Sequence, residues 1–408
     1  MPYCNVSKER STEDSGIGTN IFYRRFGCGG TKILLIIGLA ATHEAWGPQI
    51  KGLTGVCEPN DDEEAMPAET TGDCSDKMGE AADGIEVCCF DNRGMGRSSI
   101  PLKKSEYSTD IMARDALALL DHLGWKKAHV FGHSMGAMIA CKLAAMAPER
   151  LLSLALLNAT GGGYECFPKV DRKIISIVFR FLRARTPQER AAVDLEMHYT
   201  KEYLDECVGL STRRKVLHQK YVEAISSSGM QCKKGFEGQV HACWNHKLTS
   251  KELDAIRSAG FLILVIHGRH DVIAQLYHAR KLAEKLQPAA RMVELHGGHL
   301  VSHERPEEVN AALMELIEAT KTKILIEEWS NLPIAESVKC GWHVLRRPMI
   351  ILNFITPNRE SYLQTTYNFM EKLQLSFLYV LGIFIMGFNH MRNAFSILLK
   401  PVRVSVSD

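Results

Sequence analysis

Among its 408 residues the chain has 12 cysteines but no Cys-x-x-Cys pair and no His-Glu-x-x-His. Those absences remove the common ligand sets for zinc, so no metal is expected; His299 and His303 share a helical i, i+4 spacing but lack the accompanying glutamate. Cys88, Cys89 and Cys141 lie inside apolar runs, where a thiol packs as a small hydrophobe. The formal net charge of +2 is too small for an electrostatic footprint on nucleic acid, and no nucleic-acid partner is expected. "GCGGTK" near Gly27 fails the spacing of a phosphate-binding loop, and "GMG" at 94–96 lacks the third glycine of a dinucleotide site. A Rossmann dehydrogenase is thereby disfavoured, and the serine chemistry expected below requires no organic cofactor. The opening "MPYCNVSKERSTEDSG" has no apolar core of the signal-peptide kind, which points to a reducing, cytosol-facing location.

What the chain does have is alternation. Short apolar runs, "KILLIIG", "IEVCCF", "KKAHVFGHS" and "LLSLALLNAT", read as buried strands. Between them "DIMARDALALLDHLG" repeats apolar residues at helical spacing, with Asp110 as its expected cap, and a second helix is expected over 135–146. Such a βαβ pattern predicts an α/β protein with a mostly parallel, doubly wound sheet. From 161 to 259 the alternation stops, and amphipathic helical stretches such as "RKIISIVFRFLRA" take over. The strand "FLILVIHG" and the strand "RMVELHG", each followed by a helix, then resume it. A helical module inserted there can cover the strand ends where open α/β sheets bind ligands.

The division expected is a flexible terminus over 1–20, a core over 21–160 and 260–320, and a helical cap over 161–259. Residues 57–83, acidic and poor in periodic apolar positions, read as a disordered surface insertion within the core.

Gly132-His133-Ser134-Met135-Gly136 carries the chemistry. A serine between two glycines, with a strand before and a helix after, sits on a sharp turn that exposes its hydroxyl. A hydroxyl is a weak nucleophile and needs a base, which in turn needs a group to fix its tautomer. Asp271, after the strand ending at His267, is the acid candidate. His296, His299 and His303 are candidate bases; His299 follows Gly297–Gly298, a pair expected to turn the backbone sharply and project the ring.

The order Ser134, Asp271, His299 resembles that of serine hydrolases of the α/β-hydrolase fold, over residues 21–320. "GLAATHEAW" resembles the family's loop after the third strand, "DNRGMGRSS" its Asp-x-Arg-Gly turn, and "HGRHDVIA" and "GGHLVSHERPEE" its acid and histidine loops. Within the family the likeness is to single-cap, aminoacrylate-hydrolase-like members. The resemblance implies an oxyanion hole made by the Leu39 and Met135 amides; Ile37 stands where many relatives have histidine. It implies cleavage of an ester, thioester or amide bond of a small or lipid-like acyl substrate through an acyl-enzyme. The alternatives are a non-enzymatic ligand receptor or scaffold on this fold, and an acyltransferase. Which residues bind the substrate is not legible in the sequence.

Residues 321–408 form a C-terminal extension outside the resemblance. Within it 373–391 carries no charge from end to end, with Lys372 and Arg392 on either side. Nineteen residues span about 28 Å as a helix, close to the hydrocarbon thickness of a bilayer. A membrane anchor on the cytosolic side is expected there, the alternatives being a buried helix docked on protein and a soluble cytoplasmic enzyme.

Overall fold

The computed structural model describes residues 2–6, 18–60, 84–166, 168, 172–228 and 231–331. Its strands are β1 (Tyr3–Asn5), β2 (Asn20–Phe26), β3 (Thr31–Ile36), β4 (Ile85–Phe90), β5 (Ala128–His133), β6 (Leu151–Leu157), β7 (Cys207–Val208), β8 (Ser211–Thr212), β9 (Leu262–Gly268) and β10 (Ala290–Leu295). Eight of them form one sheet in the order β1-β2-β4-β3-β5-β6-β9-β10. Neighbours from β4 to β10 run parallel, whereas β1–β2 and β2–β4 are antiparallel. β7 and β8 make a separate small hairpin.

The helices are α1 (Gly47–Thr54), α2 (Thr109–His122), α3 (Met135–Met146), α4 (Arg172–Arg183), α5 (Pro187–His198), α6 (Lys201–Asp205) and α7 (Arg213–Ser228), then α8 (Lys233–Asn245), α9 (Ser250–Arg257), α10 (Leu276–Lys285), α11 (Val301–Glu304), α12 (Pro306–Lys321) and α13 (Ile326–Asn331). The inner strands are mostly apolar because both faces of the sheet are covered, with Glu86, His129, Ser153 and His267 among the buried polar exceptions. Along β3, Leu34 and Ile36 join the core containing Met112 of α2 and Ile139 of α3. Ile33 and Leu35, pointing the other way, pack with Ile50 of α1 and Leu313 of α12. Helices α4 to α9 lie in sequence between β6 and β9, where the alternation was seen to stop.

Several expectations need correction. The terminus is not wholly outside the fold: Tyr3–Asn5 pairs with Asn20–Phe22, and Cys4 is buried beneath it. Neither β1 nor β2 was legible, since β2 carries Arg24 and Arg25 and lies near an antiparallel edge where polar side chains meet solvent. Ser108, not Asp110, caps α2; its Oγ accepts from the Ile111 amide at 3.1 Å. The core also continues past 320. Trp329 is fully buried, its indole N–H donates to the Ile263 carbonyl at 2.9 Å, and the Arg291 guanidinium lies over its ring. Of the acidic insertion, Asn60 is tied down, its backbone and side-chain amides donating to the carbonyls of Arg25 and Gly27; 61–83 lie outside the described residues. So does the candidate anchor at 373–391. Among the described residues no helix is long and apolar enough to cross a membrane.

Candidate active site

Ser134 occupies the junction of β5 and α3 with φ 54° and ψ −119°, a conformation that residues with a Cβ rarely adopt. The flanking glycines explain how the turn closes. A Cβ on Gly132 would stand 2.4 Å from the Gly136 carbonyl oxygen, and one on Gly136 would stand 1.9 Å from that of Ile36. Any side chain at either position would drive strand and helix apart. The Ser134 amide donates to the Leu157 carbonyl at 2.9 Å, which pins the turn to the end of β6.

Asp271 and His299 come together. The two loops leave the parallel neighbours β9 and β10 at the same edge, and His299 Nδ1 donates to Asp271 Oδ2 at 2.8 Å. The same oxygen accepts from Asn158 Nδ2 at 2.7 Å, while Oδ1 accepts from the Ile273 and Ala274 amides, both at 2.8 Å. Those two amides close a turn around the carboxylate, and α10 begins beyond it at Leu276. Burial alone would raise the Asp271 pKa, but the His299 and His267 rings and the Asn158 amide outweigh it and hold it at about 2. An ionised, fully shielded carboxylate at Nδ1 leaves Nε2 of His299 as the acceptor, the tautomer a base requires.

The elbow and the histidine loop are joined by His133, the residue before Ser134. Its Nε2 donates to the His299 carbonyl at 2.9 Å, and the two rings stand edge to face, 5.0 Å apart. Burial, with the His299 ring beside it, lowers the pKa of His133 to about 3. His198, at the end of α5, lies 5.9 Å from the His299 ring and is lowered to about 4, again chiefly by burial. Both flanking rings are therefore neutral near pH 7 and add no cation beside His299.

Neither Gly297 nor Gly298 has a positive φ. They provide room instead: a Cβ on Gly298 would lie 2.7 Å from the His198 carbonyl, and one on Gly297 would lie 2.6 Å from Val301 Cγ2. The His198 carbonyl accepts from the Leu300 amide at 2.9 Å. Glu304 completes this seam, with Oε1 accepting from the Gly298 and Thr200 amides and Oε2 from the Thr200 hydroxyl.

On the opposite side, the loop after β3 runs against the elbow. A Cβ on Gly38 would lie 3.1 Å from both Ser134 Cβ and the His133 carbonyl oxygen, so the loop and the elbow approach each other closely at this glycine. Leu39 follows directly and is half-buried. Met135 opens α3, and its amide precedes the first bonds of that helix, which run from Ala137 and Met138 to the Ser134 carbonyl.

The remaining histidines have other partners. His303 Nε2 donates to the Ala45 carbonyl at 2.7 Å, with Tyr199 Oη 3.1 Å from its other nitrogen. His296 faces His270 at the surface. Asp91 accepts from the His43 amide and from His43 Nδ1, each at 2.8 Å, and Arg93 makes a paired contact with Asp115. Sequence reading missed Asn158, His198, Gln239 and Glu304. Only Asn158 had a signal: an asparagine ending an apolar strand suits the left-handed conformation it adopts, φ 48°.

A family model described as the alpha/beta hydrolase fold matches residues 69–306. A Mycobacterium tuberculosis protein named as a candidate non-heme bromoperoxidase, BpoC, is 29% identical over 241 residues, which are 59% of this chain and 86% of that one. A Caulobacter segnis protein named as a candidate carbamate hydrolase, RutD, is 25% identical over 287 residues, 70% of this chain and 91% of the relative. The enol-lactonase of Burkholderia xenovorans LB400 superposes with a TM-score of 0.55 at 23% identity, covering 74% of this chain and 97% of the lactonase. With more than half its length matched by the family model and with this sheet beneath the match, the chain belongs to the α/β-hydrolase fold family.

Proposed function

We propose that the protein is a serine hydrolase that cleaves the ester, thioester or amide bond of a small or lipid-like acyl substrate. Ser134 attacks the carbonyl carbon as its proton passes to His299 Nε2, and Asp271 stabilises the imidazolium that forms. The Leu39 and Met135 amides receive the oxyanion. The tetrahedral intermediate collapses as His299 returns the proton to the leaving group, and water then releases the acyl group from Ser134 by the same steps. Helices α4 to α9 serve as the cap, and no metal or organic cofactor enters any step.

The observation that carries this reading is the 2.8 Å bond from His299 Nδ1 to the shielded Asp271 carboxylate, on a loop bonded to the residue preceding a strained serine. The names of the hydrolase relatives support the reaction class. A fluorophosphonate probe tests the reading. Wild type is expected to be labelled and Ser134→Ala is not; equal labelling of the two would discard the reading.

The uncharged stretch at 373–391 supports a separate reading about location, that it holds the hydrolase at a membrane. Fractionation of full-length protein against a chain ending after Asn331 tests it, because an earlier cut would remove the buried Trp329. The anchor predicts membrane recovery for the full chain alone.

A further inference from the structure

We infer that Gln239, on helix α8, is a positioning residue that sets the Leu39 amide by holding the peptide group that follows it. The inference rests on the proposed role of Leu39 as an oxyanion donor and adds what governs that donor.

Gln239 is completely buried, and each of its polar atoms is spoken for. Its Oε1 accepts from the Ala40 amide at 3.0 Å and from Gln231 Nε2 at 3.0 Å, and its Nε2 donates to the Arg93 carbonyl at 3.0 Å. This orientation is the one the neighbours permit. Flipping the amide would set its NH2 against two donors and its oxygen against a carbonyl.

The loop it grips is under strain. Ala40 has φ 58°, left-handed for a residue with a Cβ, and such a conformation costs about 1–2 kcal/mol unless its surroundings fix it. The ends of the loop are held from the sheet side: Asn92 Nδ2 donates to the Ile37 carbonyl at 2.7 Å, and Asp91 takes the His43 amide and ring. Between those anchors the Ala40 amide donates to the inserted helices. Its direction sets the Leu39–Ala40 peptide plane and so the setting of Leu39, one residue from the Gly38 backbone that packs on Ser134.

Helix α8 can bear this role because it is itself fixed. A Cβ on Gly235 would lie 2.1 Å from the Gly94 carbonyl oxygen, and one on Gly238 would lie 2.4 Å from the Tyr107 ring. Helix and core therefore touch backbone to backbone, and Gln231 Nε2 adds a bond to the Gly94 carbonyl at 2.9 Å. The cap thus contributes to the oxyanion hole through a side chain that meets no reacting atom.

The test uses full-length protein and the rate of covalent labelling by a fluorophosphonate, whose phosphoryl oxygen gains charge as Ser134 attacks. For Gln239→Met, kinact is expected to fall about tenfold, less than the loss of a whole oxyanion donor, with KI and the pH midpoint of labelling unchanged. A kinact within threefold of wild type, or a loss carried by KI, overturns the inference. Should Gln239→Met fail to fold, Gln239→Asn decides by the same criteria, since it keeps a polar amide but draws its oxygen back from the Ala40 amide. Wild type that is not labelled, or labelling that survives Ser134→Ala, removes the proposed function beneath the inference instead.

Discussion

Two aspartate–histidine pairs lie in this molecule with the same bond length. Asp271 accepts from His299 Nδ1 at 2.8 Å, and Asp91 accepts from His43 Nδ1 at 2.8 Å. Their surroundings separate them. The Asp91 oxygens also take the backbone amides of His43 and Arg97, so that pair closes one loop onto another. His299 is instead carried on a loop whose own carbonyl is bonded to the residue before Ser134, and its partner carboxylate is shielded by four donors. An Asp–His contact is thus a common tie between loops, and its position relative to a strained serine decides what chemistry it can support.

The largest expected contrast comes from replacing each carboxylate by its amide. Asp271→Asn should lower kcat/KM for an activated acyl ester by about 10⁴-fold, because the amide no longer selects the Nδ1–H tautomer. Asp91→Asn should instead cost about 1–3 kcal/mol of stability, read by urea unfolding, with kcat/KM reduced about tenfold or less. Equal kinetic losses from the two would erase the distinction drawn between the pairs.

A smaller effect sharpens the picture on the side of His133. Its pKa in the fold, about 3, lies below its ordinary value of 6.5, so between those values the unfolded chain binds the extra proton. Its contribution is full above about pH 6.5 and drains as pH falls, reaching a loss on the order of 2 kcal/mol by pH 5. Asp271, lowered from 3.8 to about 2, acts in the same direction but in a more acidic window. Urea midpoints measured at pH 7 and pH 5 check this. His129, His198 and His246 are lowered in the same direction, so a wild-type fall no larger than that of His133→Gln would refute the buried, neutral state of His133.

Local signals made much of this legible. Apolar runs bounded by glycine mark β3, β5 and β9 because strands covered on both faces can hold little else. Gly132 and Gly136 mark the elbow because no side chain fits where strand and helix cross. The antiparallel edge was silent, since Arg24 and Arg25 break the apolar pattern while backbone pairing still holds β2 in place. Trp329 was hidden for a similar reason, being one aromatic residue in a short polar helix.

By itself, then, the sequence determined the layered α/β core, the strained serine and the loops that carry Asp271 and His299, because each leaves a short, periodic or sterically forced pattern in the chain. Only the tertiary structure decided which groups surround them: Asn158 on the acid, His198 and Glu304 at the histidine loop, Gln239 on the Ala40 amide. Apart from the local Glu304–Gly298 bond, those contacts join residues about 100 to 200 positions apart, and they exist because parallel strands end at one edge while the inserted helices return to it. A side chain that meets its partner only after that return carries no local pattern to read.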